Sequence, residues 1–450
     1  MNALSAGRSS TASSLLGVWA LFLAFAFLQI GNGLQRILLP VRGEAEGISA
    51  GAMGVVMAVH FAGYLLGAKL IPVALTSVGH IRVFAALASV SSTAVLVNAV
   101  LVTTTSWSIV YFVSGLCNAG VFVIIESWLN DRATNETRGS ILGAYMMIMM
   151  GGTAGGQMLL NLGSSDGFEL FVLSSVLISL AVVPVTLSAS TAPPVLSGEK
   201  MPLGELYRTI PSAVVGIVLC SYVQSAASSM AAVFGTQSGM SAARITLFTS
   251  AAVVGAVILQ MPLGSLSDRY PRRAVILGVT ATSCGLAVVG AVTPATSIWL
   301  IALNMAFGAF VFPLYGQFVA LANDWVPPNK RVAAASTLVL ASSFGAMAAP
   351  MSIGIAVESF GPTAYFWSLA SCLGILALYL SYRTRVRQAI PVERQSTFQP
   401  VFARSGELAH TVGRWVRHPL SEWQHHRDDH DCEVDERHPS LRTRPTDGVD

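Results

Sequence analysis

Two side chains that could exchange protons near neutral pH lie within long apolar stretches of this chain. His60 is near the middle of one stretch, and Glu126 is near the end of another. Imidazole titrates near neutral pH, and desolvation can raise the pKa of a glutamate carboxyl group into the same range. Each residue has two interpretations. His60 is either a proton-coupling group or a satisfied core histidine, and Glu126 is either a coupling group or a structural partner of Arg132 or Arg138.

Polar side chains with hydrogen-bonding groups are the second chemical feature of these stretches. Gln29, Asn32 and Arg36 are spaced i, i+3 and i+7, which predicts one stripe on a helix. Polar groups are costly in an apolar environment, so they indicate a face lined by protein or water. The alternatives are hydrogen bonds between helices for the amides and a snorkelling side chain for Arg36. The candidate binding set is Gln29, Asn32, Arg36, Asn118, Gln224, Asn304, Tyr315 and Gln317.

Long apolar segments are the elements that position these residues. The chain is 53% hydrophobic and 11% charged, whereas soluble proteins carry roughly 25% charged residues. A helix of about 20 apolar residues crosses a bilayer core of roughly 30 Å. The first segment is too long for the apolar core of a signal peptide, so we expect it to be retained. The sequence predicts twelve spanning helices, at about 15–40, 49–75, 81–103, 107–129, 139–163, 168–190, 209–235, 243–264, 273–293, 297–322, 331–357 and 362–383.

The distribution of basic residues indicates which helix ends face the cytoplasm. With a cytoplasmic amino terminus, the inner segments up to Arg331 hold eleven Lys and Arg residues, and the outer loops hold three. Positive residues are retained on the cytoplasmic side of a membrane. Both termini are therefore predicted to be cytoplasmic.

The two halves of the chain repeat a short pattern of residues. Asn130-Asp131 is followed by Arg138, and Asn323-Asp324 is followed by Arg331 at the same spacing. Pro72 precedes Arg82 by ten residues, as Pro262 precedes Arg272. Two parallel copies of six spans suit two bundles that are related by an axis along the membrane normal.

The predicted domain boundaries follow from this pattern. They are a cytoplasmic segment 1–14, a six-helix bundle 15–190, a cytoplasmic linker 191–208, a second bundle 209–383 and a polar tail 384–450, which we interpret as disordered. As an alternative, the tail segment Leu408 to Trp423 lies on the membrane as an amphipathic element. His425, His426, His430 and Cys432 lack the spacing of a zinc site. No metal or cofactor is predicted.

The hairpin after the eighth span is Gly264-Ser-Leu-Ser-Asp268-Arg269-Tyr-Pro-Arg272-Arg273. It resembles the cytoplasmic signature loop of the major facilitator superfamily. The resemblance implies an all-α membrane protein, with twelve transmembrane helices in two pseudo-symmetric six-helix bundles and a central cavity lined by the first, fourth, seventh and tenth helices. It also implies a cytoplasmic gate, and simple retention of positive charge is the alternative. The gate candidates are Asp268, Arg269, Arg272, Arg273, Asp131, Arg138, Asp324 and Arg331.

The first half departs from the family pattern. Val78 and Gly79 stand where the second half has Asp268 and Arg269, and Tyr111 stands where many proton-coupled members carry an arginine. These departures argue against proton antiport. The segment from Glu126 to Met147 resembles a bacterial subgroup of unsettled substrate, sometimes labelled sugar or drug efflux permeases. We therefore expect a multi-pass protein of the bacterial cytoplasmic (inner) membrane.

These observations favour a secondary or facilitative transporter that moves a small solute by alternating access. The uncharged groups of the binding set favour a neutral or amphipathic solute. A proton-coupled multidrug exporter is the first alternative, with protons as the coupling ion. A non-transporting membrane sensor or assembly factor that acts through its tail is the second alternative. Deletion of 390–450 would distinguish the two classes, because a transporter should keep its flux and a tail-dependent sensor should lose its output. No phosphate-binding loop or catalytic pair is present in the sequence, so we expect no enzyme, no nucleic-acid partner and a monomer in the lipid bilayer.

Overall fold

The computed structural model describes residues 19–132, 137–165, 167–187, 201–327, 330–386 and 395. Several predictions made from the sequence lie outside these residues. They concern the amino-terminal segment 1–14, the linker residues 191–200, the tail with its amphipathic patch and histidines, and the side chain of Arg138.

The described part of the chain folds into helices that reproduce the twelve predicted spans. The first half comprises Trp19–Ala45, Ala50–Val78, His80–Val100, Thr104–Arg132, Arg138–Met158 and the pair Glu169–Leu180 and Val182–Leu187. The second half comprises the pair Pro211–Ser229 and Ala231–Gln237, then Ala242–Arg269, Arg272–Val292, the pair Trp299–Val311 and Leu314–Trp325, then Arg331–Phe360 and Ala364–Val386. We number these spans first to twelfth. A short helix, Leu203–Thr209, precedes the seventh span.

Eleven of the spans in the described residues are long and apolar enough to cross a membrane. The remaining one is the fifth span, Arg138–Met158, whose composition is diluted by glycines. An added Cβ on Gly156 would lie 2.1 Å from the carbonyl oxygen of Ile30. The glycine therefore lets the fifth span approach the backbone of the first span closely, as small residues do between membrane helices.

Local signals fix several helix ends. The hydroxyl oxygen of Ser49 accepts a hydrogen bond from the backbone N–H of Ala52 at the start of the second span, which is a standard amino-terminal cap. Gly79 has φ of 91° between the second and third spans, a conformation that glycine adopts readily. The tenth span is interrupted before Leu314, where Pro313 cannot donate a backbone hydrogen bond.

The same close contacts recur in both halves. An added Cβ on Gly63 would lie 1.9 Å from the carbonyl oxygen of Phe112, where the second span meets the fourth. An added Cβ on Gly255 would lie 1.9 Å from the carbonyl oxygen of Met305, where the eighth span meets the tenth. The predicted internal repeat and the predicted fold class are confirmed.

The two halves meet chiefly through two pairs of spans, the second with the eleventh and the fifth with the eighth. We call the end of the spans that holds Leu203–Thr209 and the turn between Arg269 and Arg272 the linker face. We call the other end, which holds the turn between Ala45 and Ala50, the opposite face. These two pairs of spans border the space in which the candidate site lies.

Candidate functional site

A central cavity of about 1270 Å³, partly open to solvent, lies between the two halves. Its walls come from eight spans, four in each half: the first, second, fourth and fifth, and the seventh, eighth, tenth and eleventh. A site with this construction changes shape whenever the halves move relative to each other, because each half contributes part of its lining.

Five of the eight predicted binding residues line this cavity: Gln29, Asn32, Arg36, Asn118 and Gln224. The amide nitrogen of Asn32 donates to the amide oxygen of Asn118 at 3.0 Å, which joins the first span to the fourth. The amide nitrogen of Gln224 donates to the carbonyl oxygens of Val311 and Phe312, at 2.9 and 3.0 Å. These amides therefore both line the cavity and hold helices together.

The other three predicted binding residues, Asn304, Tyr315 and Gln317, are buried within the second half and do not line the cavity. The amide nitrogen of Asn304 donates to the carbonyl oxygen of Phe248 at 2.6 Å and so joins the tenth span to the eighth. Phe312, beside the interruption in the tenth span, reaches the cavity instead. The break before Leu314 changes which side chains of this span face inward.

His60 lines the central cavity on the second span. Its Nδ1 lies 3.3 Å from the carbonyl oxygen of Tyr111, and its ring centroid lies 4.9 Å from the ring centroid of Tyr111. One ring nitrogen is thus held by the fourth span while the ring remains at the cavity wall. This position suits a group that binds solute or exchanges protons with the cavity.

Glu126 is buried on the fourth span and lies outside the cavity lining. The hydroxyl group of Tyr145 donates to its carboxylate at 2.8 Å. The ring of Tyr145 stacks on Phe25, with ring centroids 4.8 Å apart. Arg132, one of the partners considered from the sequence, is exposed, and the described partner of Glu126 is a tyrosine of the fifth span. Glu126 therefore links the fourth and fifth spans.

The candidate binding set omitted several polar residues of the cavity, because it took no residue from the fifth span and only Gln224 from the seventh. Thr153 and Gln157 on the fifth span line the cavity one helical turn apart. Ser221, Ser225 and Ser228 on the seventh span also line it. Their spacing of i, i+4 and i+7 is a helical stripe, and the sequence carried that signal.

Contacts between the halves close the opposite face. The carboxylate of Glu358 on the eleventh span accepts from the backbone N–H of Gly51 at 2.8 Å and from the hydroxyl of Ser49 at 3.0 Å. The hydroxyl of Ser250 donates to the amide oxygen of Gln157 at 3.1 Å. These contacts lie between the cavity and the opposite face, so a solute in the cavity could not leave through that face.

Gln237 and Glu44 add a further hydrogen bond between the halves at the opposite face. The backbones also approach closely there, because an added Cβ on Gly54 would lie 2.3 Å from the carbonyl oxygen of Pro350. The closure thus combines side-chain hydrogen bonds with direct contact between the second and eleventh spans.

An ion cluster around the buried guanidinium of Arg272 lies at the linker face of the second half. Arg272 contacts Asp268 at 3.3 Å and Asp324 at 3.1 Å. The guanidinium of Arg273 lies 5.5 Å from the ring centroid of Trp325. These contacts join the eighth, ninth and tenth spans within one half.

The remaining gate candidates are distributed around that face. Arg269 and Asp131 are exposed. The Nε of Arg331 donates to the carbonyl oxygen of Val326 at 3.4 Å. Lys330 pairs with Glu205 of the short helix at 2.9 Å, with both side chains nearly half exposed. The gating role of the set stays a prediction. Within the described residues, no three His, Cys, Asp or Glu side chains are grouped as metal ligands would be.

Comparison with known proteins agrees with this architecture. The sequence profile of the Major Facilitator Superfamily matches residues 213–430. The uncharacterized MFS-type transporter YcaD of Escherichia fergusonii is 23% identical over 370 residues, which cover 82% of this chain and 96% of the relative. The uncharacterized MFS-type transporter Ent638_1421 of Enterobacter sp. is 24% identical over 380 residues, which cover 81% of this chain and 94% of the relative.

Solved structures with the same fold include two transporters. The nucleoside transporter NupG superposes with a TM-score of 0.68 at 12% identity, covering 83% of this chain and 100% of that one. A bacterial homolog of the human lysosomal transporter Spinster, in an inward-facing and occupied conformation, superposes with a TM-score of 0.70 at 15% identity, covering 85% of this chain and 98% of that one. The arrangement of the spans and the solved structures show that this chain is an all-α, multi-pass membrane protein with the fold of major facilitator transporters, and its sequence is similar to theirs.

Proposed function

We propose that this chain moves a small solute across the bilayer by alternating access, with the central cavity as its binding site. The observation that carries the proposal is the construction of the cavity, which takes four spans from each half and is closed at the opposite face by contacts between the halves. Rocking the halves apart at that face while they meet at the linker face would expose the same site to the other side.

We also propose that the linker face is cytoplasmic in a bacterial inner membrane, with both termini on that side. Arg269, Arg272, Arg273, Lys330 and Arg331 all lie at this face, and positive residues are retained inside. The curated relatives are bacterial proteins, which supports the same membrane. The conformation described here is then closed toward the outside.

Proton coupling is part of the proposal only through His60. It lines the cavity, where its protonation can respond to a bound solute. Glu126 lies outside the lining and is held by Tyr145, so we assign it a structural role. Nothing in the cavity lining calls for nucleotide hydrolysis, and the driving force is a solute or proton gradient.

Reconstitution of the full chain into vesicles tests this function. Uptake of labelled sugars, nucleosides, organic acids and organic cations would be measured with and without an imposed pH gradient. The paired variant Gln157→Cys with Ser250→Cys supplies the mechanistic control, because these side chains meet across the halves. Oxidation of the pair is expected to stop uptake, and a reductant is expected to restore it.

The two single-cysteine variants control for the substitutions themselves, and the uptake rate of each should not change with oxidant or reductant. If every solute in the panel stays outside the vesicles, or if the oxidised pair transports at the rate of the reduced pair, alternating access through this cavity is wrong.

A further inference from the structure

Arg36 is a charged side chain in the wall of the central cavity, and no acidic residue of the described chain pairs with it. It lies on the outer half of the first span, well inside Trp19–Ala45. Within the described part of the chain it makes no hydrogen bond and no ion pair. Tyr111 and Arg36 line the same small side pocket. A guanidinium inside a membrane protein is costly unless it is paired or faces water, so its position requires an explanation.

The surroundings of Arg36 are rich in hydrogen-bonding groups and contain no carboxylate. A small side pocket of the cavity brings Arg36 together with Asn32, His60, Asn118 and Ser229. The amide oxygen of Asn118 is used by Asn32, whereas its amide nitrogen has no hydrogen-bond partner among the described residues and lies at the cavity wall. One full positive charge and at least one available N–H group therefore converge on the same pocket.

The rest of the cavity has a different character. Phe61, Tyr64, Phe122 and Phe312 line it together with Met149 and Met150. Aromatic and thioether side chains offer contact area to an apolar body and adapt to its shape. Glu126, the acidic candidate from the sequence, lies outside the lining. The cavity therefore combines a single cationic end with a broad apolar wall.

We propose that the cavity binds an organic monoanion with an apolar body, and that Arg36 pairs with its carboxylate or an equivalent anionic group. A guanidinium binds a carboxylate through two parallel hydrogen bonds, and Asn118 supplies a further donor. One arginine neutralises one charge, which selects against dianions. This inference deepens the proposed function by naming the substrate class. Of the neutral or amphipathic solutes expected from the sequence, it selects an amphipathic anion, because Arg36 lies at the cavity wall.

Equilibrium binding to the purified full chain in detergent tests the inference without requiring transport. The probes are benzoate, indole-3-acetate and hexanoate, each compared with its own amide. The wild-type chain should bind at least one carboxylate more tightly than the matching amide. A hydrogen bond to a charged group contributes about 1.5–3 kcal/mol, so Arg36→Gln should weaken carboxylate binding roughly tenfold to a hundredfold. Amide binding should change little.

Two variants serve as controls for that measurement. Arg36→Lys keeps the charge but loses the paired geometry, so it should keep part of the preference for carboxylates. Arg244→Gln removes an arginine at the opposite face whose guanidinium donates to the carbonyl oxygen of Ser297 at 2.6 Å. This residue is not part of the cavity lining, and its variant should bind like the wild type.

A second measurement requires no ligand and covers the case in which Arg36→Gln destabilises the chain. Ser228→Cys places a thiol in the cavity wall. The measured quantity is the modification rate by an anionic methanethiosulfonate reagent divided by the rate by a cationic one. This ratio should fall after the further change Arg36→Lys, and it should fall more after Arg36→Gln.

The outcomes separate the two proposals. Binding of a carboxylate that depends on Arg36, without any flux in vesicles, would support the anion site and contradict transport. Flux of neutral solutes, with no preference for carboxylates and no effect of Arg36→Gln on the modification ratio, would overturn the anion site and leave transport intact. Absence of binding of all three carboxylates to the wild type also overturns the anion site.

Discussion

The Nε of Arg272 lies 3.1 Å from a carboxylate oxygen of Asp324, and both side chains are almost completely buried. The pair joins the start of the ninth span to the end of the tenth span. A charged pair of this kind is destabilising to break, because buried Arg272 would keep only the partly exposed Asp268 of its two carboxylate partners. We therefore expect the pair to contribute to the stability of the folded protein.

We predict that Asp324→Asn destabilises the protein by less than the about 3–5 kcal/mol that leaving a buried charge unpaired costs, because Asp268 still contacts Arg272. Thermal unfolding in detergent would measure the change. Asp131→Asn is the matched control, because Asp131 lies at the corresponding end of the fourth span and is exposed. Equal stability of the two variants would show that the buried pair contributes nothing particular.

Removal of the Glu358 carboxylate is predicted to loosen the closure of the opposite face. Glu358→Ala removes the acceptor for the backbone N–H of Gly51 and for the hydroxyl of Ser49. Charged hydrogen bonds of this kind contribute about 1.5–3 kcal/mol each, so the population open at that face should rise. Labelling of Ser228→Cys by an impermeant reagent added outside intact cells would report the shift.

Glu46→Gln is the control for that closure. Glu46 lies near the same face but pairs with Arg42 in its own half, so its loss should leave the labelling rate unchanged. A labelling rate in Glu358→Ala equal to that of the parent would contradict the role assigned to Glu358.

Substitution of Gly54 is predicted to impair the same closure sterically. The added Cβ of Gly54→Ala would lie 2.3 Å from the carbonyl oxygen of Pro350, so the second and eleventh spans must separate. We expect faster outside labelling and slower uptake. Gly143→Ala is the neutral comparison, because a Cβ there meets nothing within 4 Å. Unchanged labelling and uptake in Gly54→Ala would show that the two spans need no such contact.

Substitution of the two titratable residues is predicted to separate coupling from structure. His60→Gln should abolish the response of uptake to a pH gradient, because it removes the titratable group of the cavity wall. Glu126→Gln should keep that response, because glutamine still offers an oxygen to Tyr145. Uptake in vesicles at fixed solute gradient, with and without the pH gradient, measures both. A pH response that survives in His60→Gln would remove His60 from the mechanism.

The number and order of the spans followed from hydropathy because each apolar run is longer than a soluble core requires. The run from Ile245 to Leu263 became the central part of Ala242–Arg269. The fifth span was also found from its sequence, although glycines lower its apolar content. The repeated Asp131 and Asp324 patterns indicated two matched halves, and the contacts of Gly63 and Gly255 show the same match in space.

Which polar residues share one cavity did not follow from spacing alone. Helical periodicity assigns residues to a stripe, but it does not say which neighbour the stripe faces. Gln29, Asn32 and Arg36 face the cavity, whereas Asn304 on the tenth span bonds to Phe248 inside its own half. An interruption in a helix also affects which of its side chains face the cavity. The interruption before Leu314 turns Phe312 inward and leaves Tyr315 and Gln317 buried away from the cavity.

The sequence by itself predicted a membrane protein of two matched six-helix halves. Polar groups are costly in lipid, so each membrane-spanning segment must be a long apolar run that bonds its own backbone as a helix. Tertiary structure alone decided the environment of each polar side chain. It placed Arg36 without a carboxylate partner at the cavity wall, placed Arg272 between two carboxylates, and brought Glu358 to the second span. Such pairings join residues far apart in the chain, and only the packing of the helices brings them together.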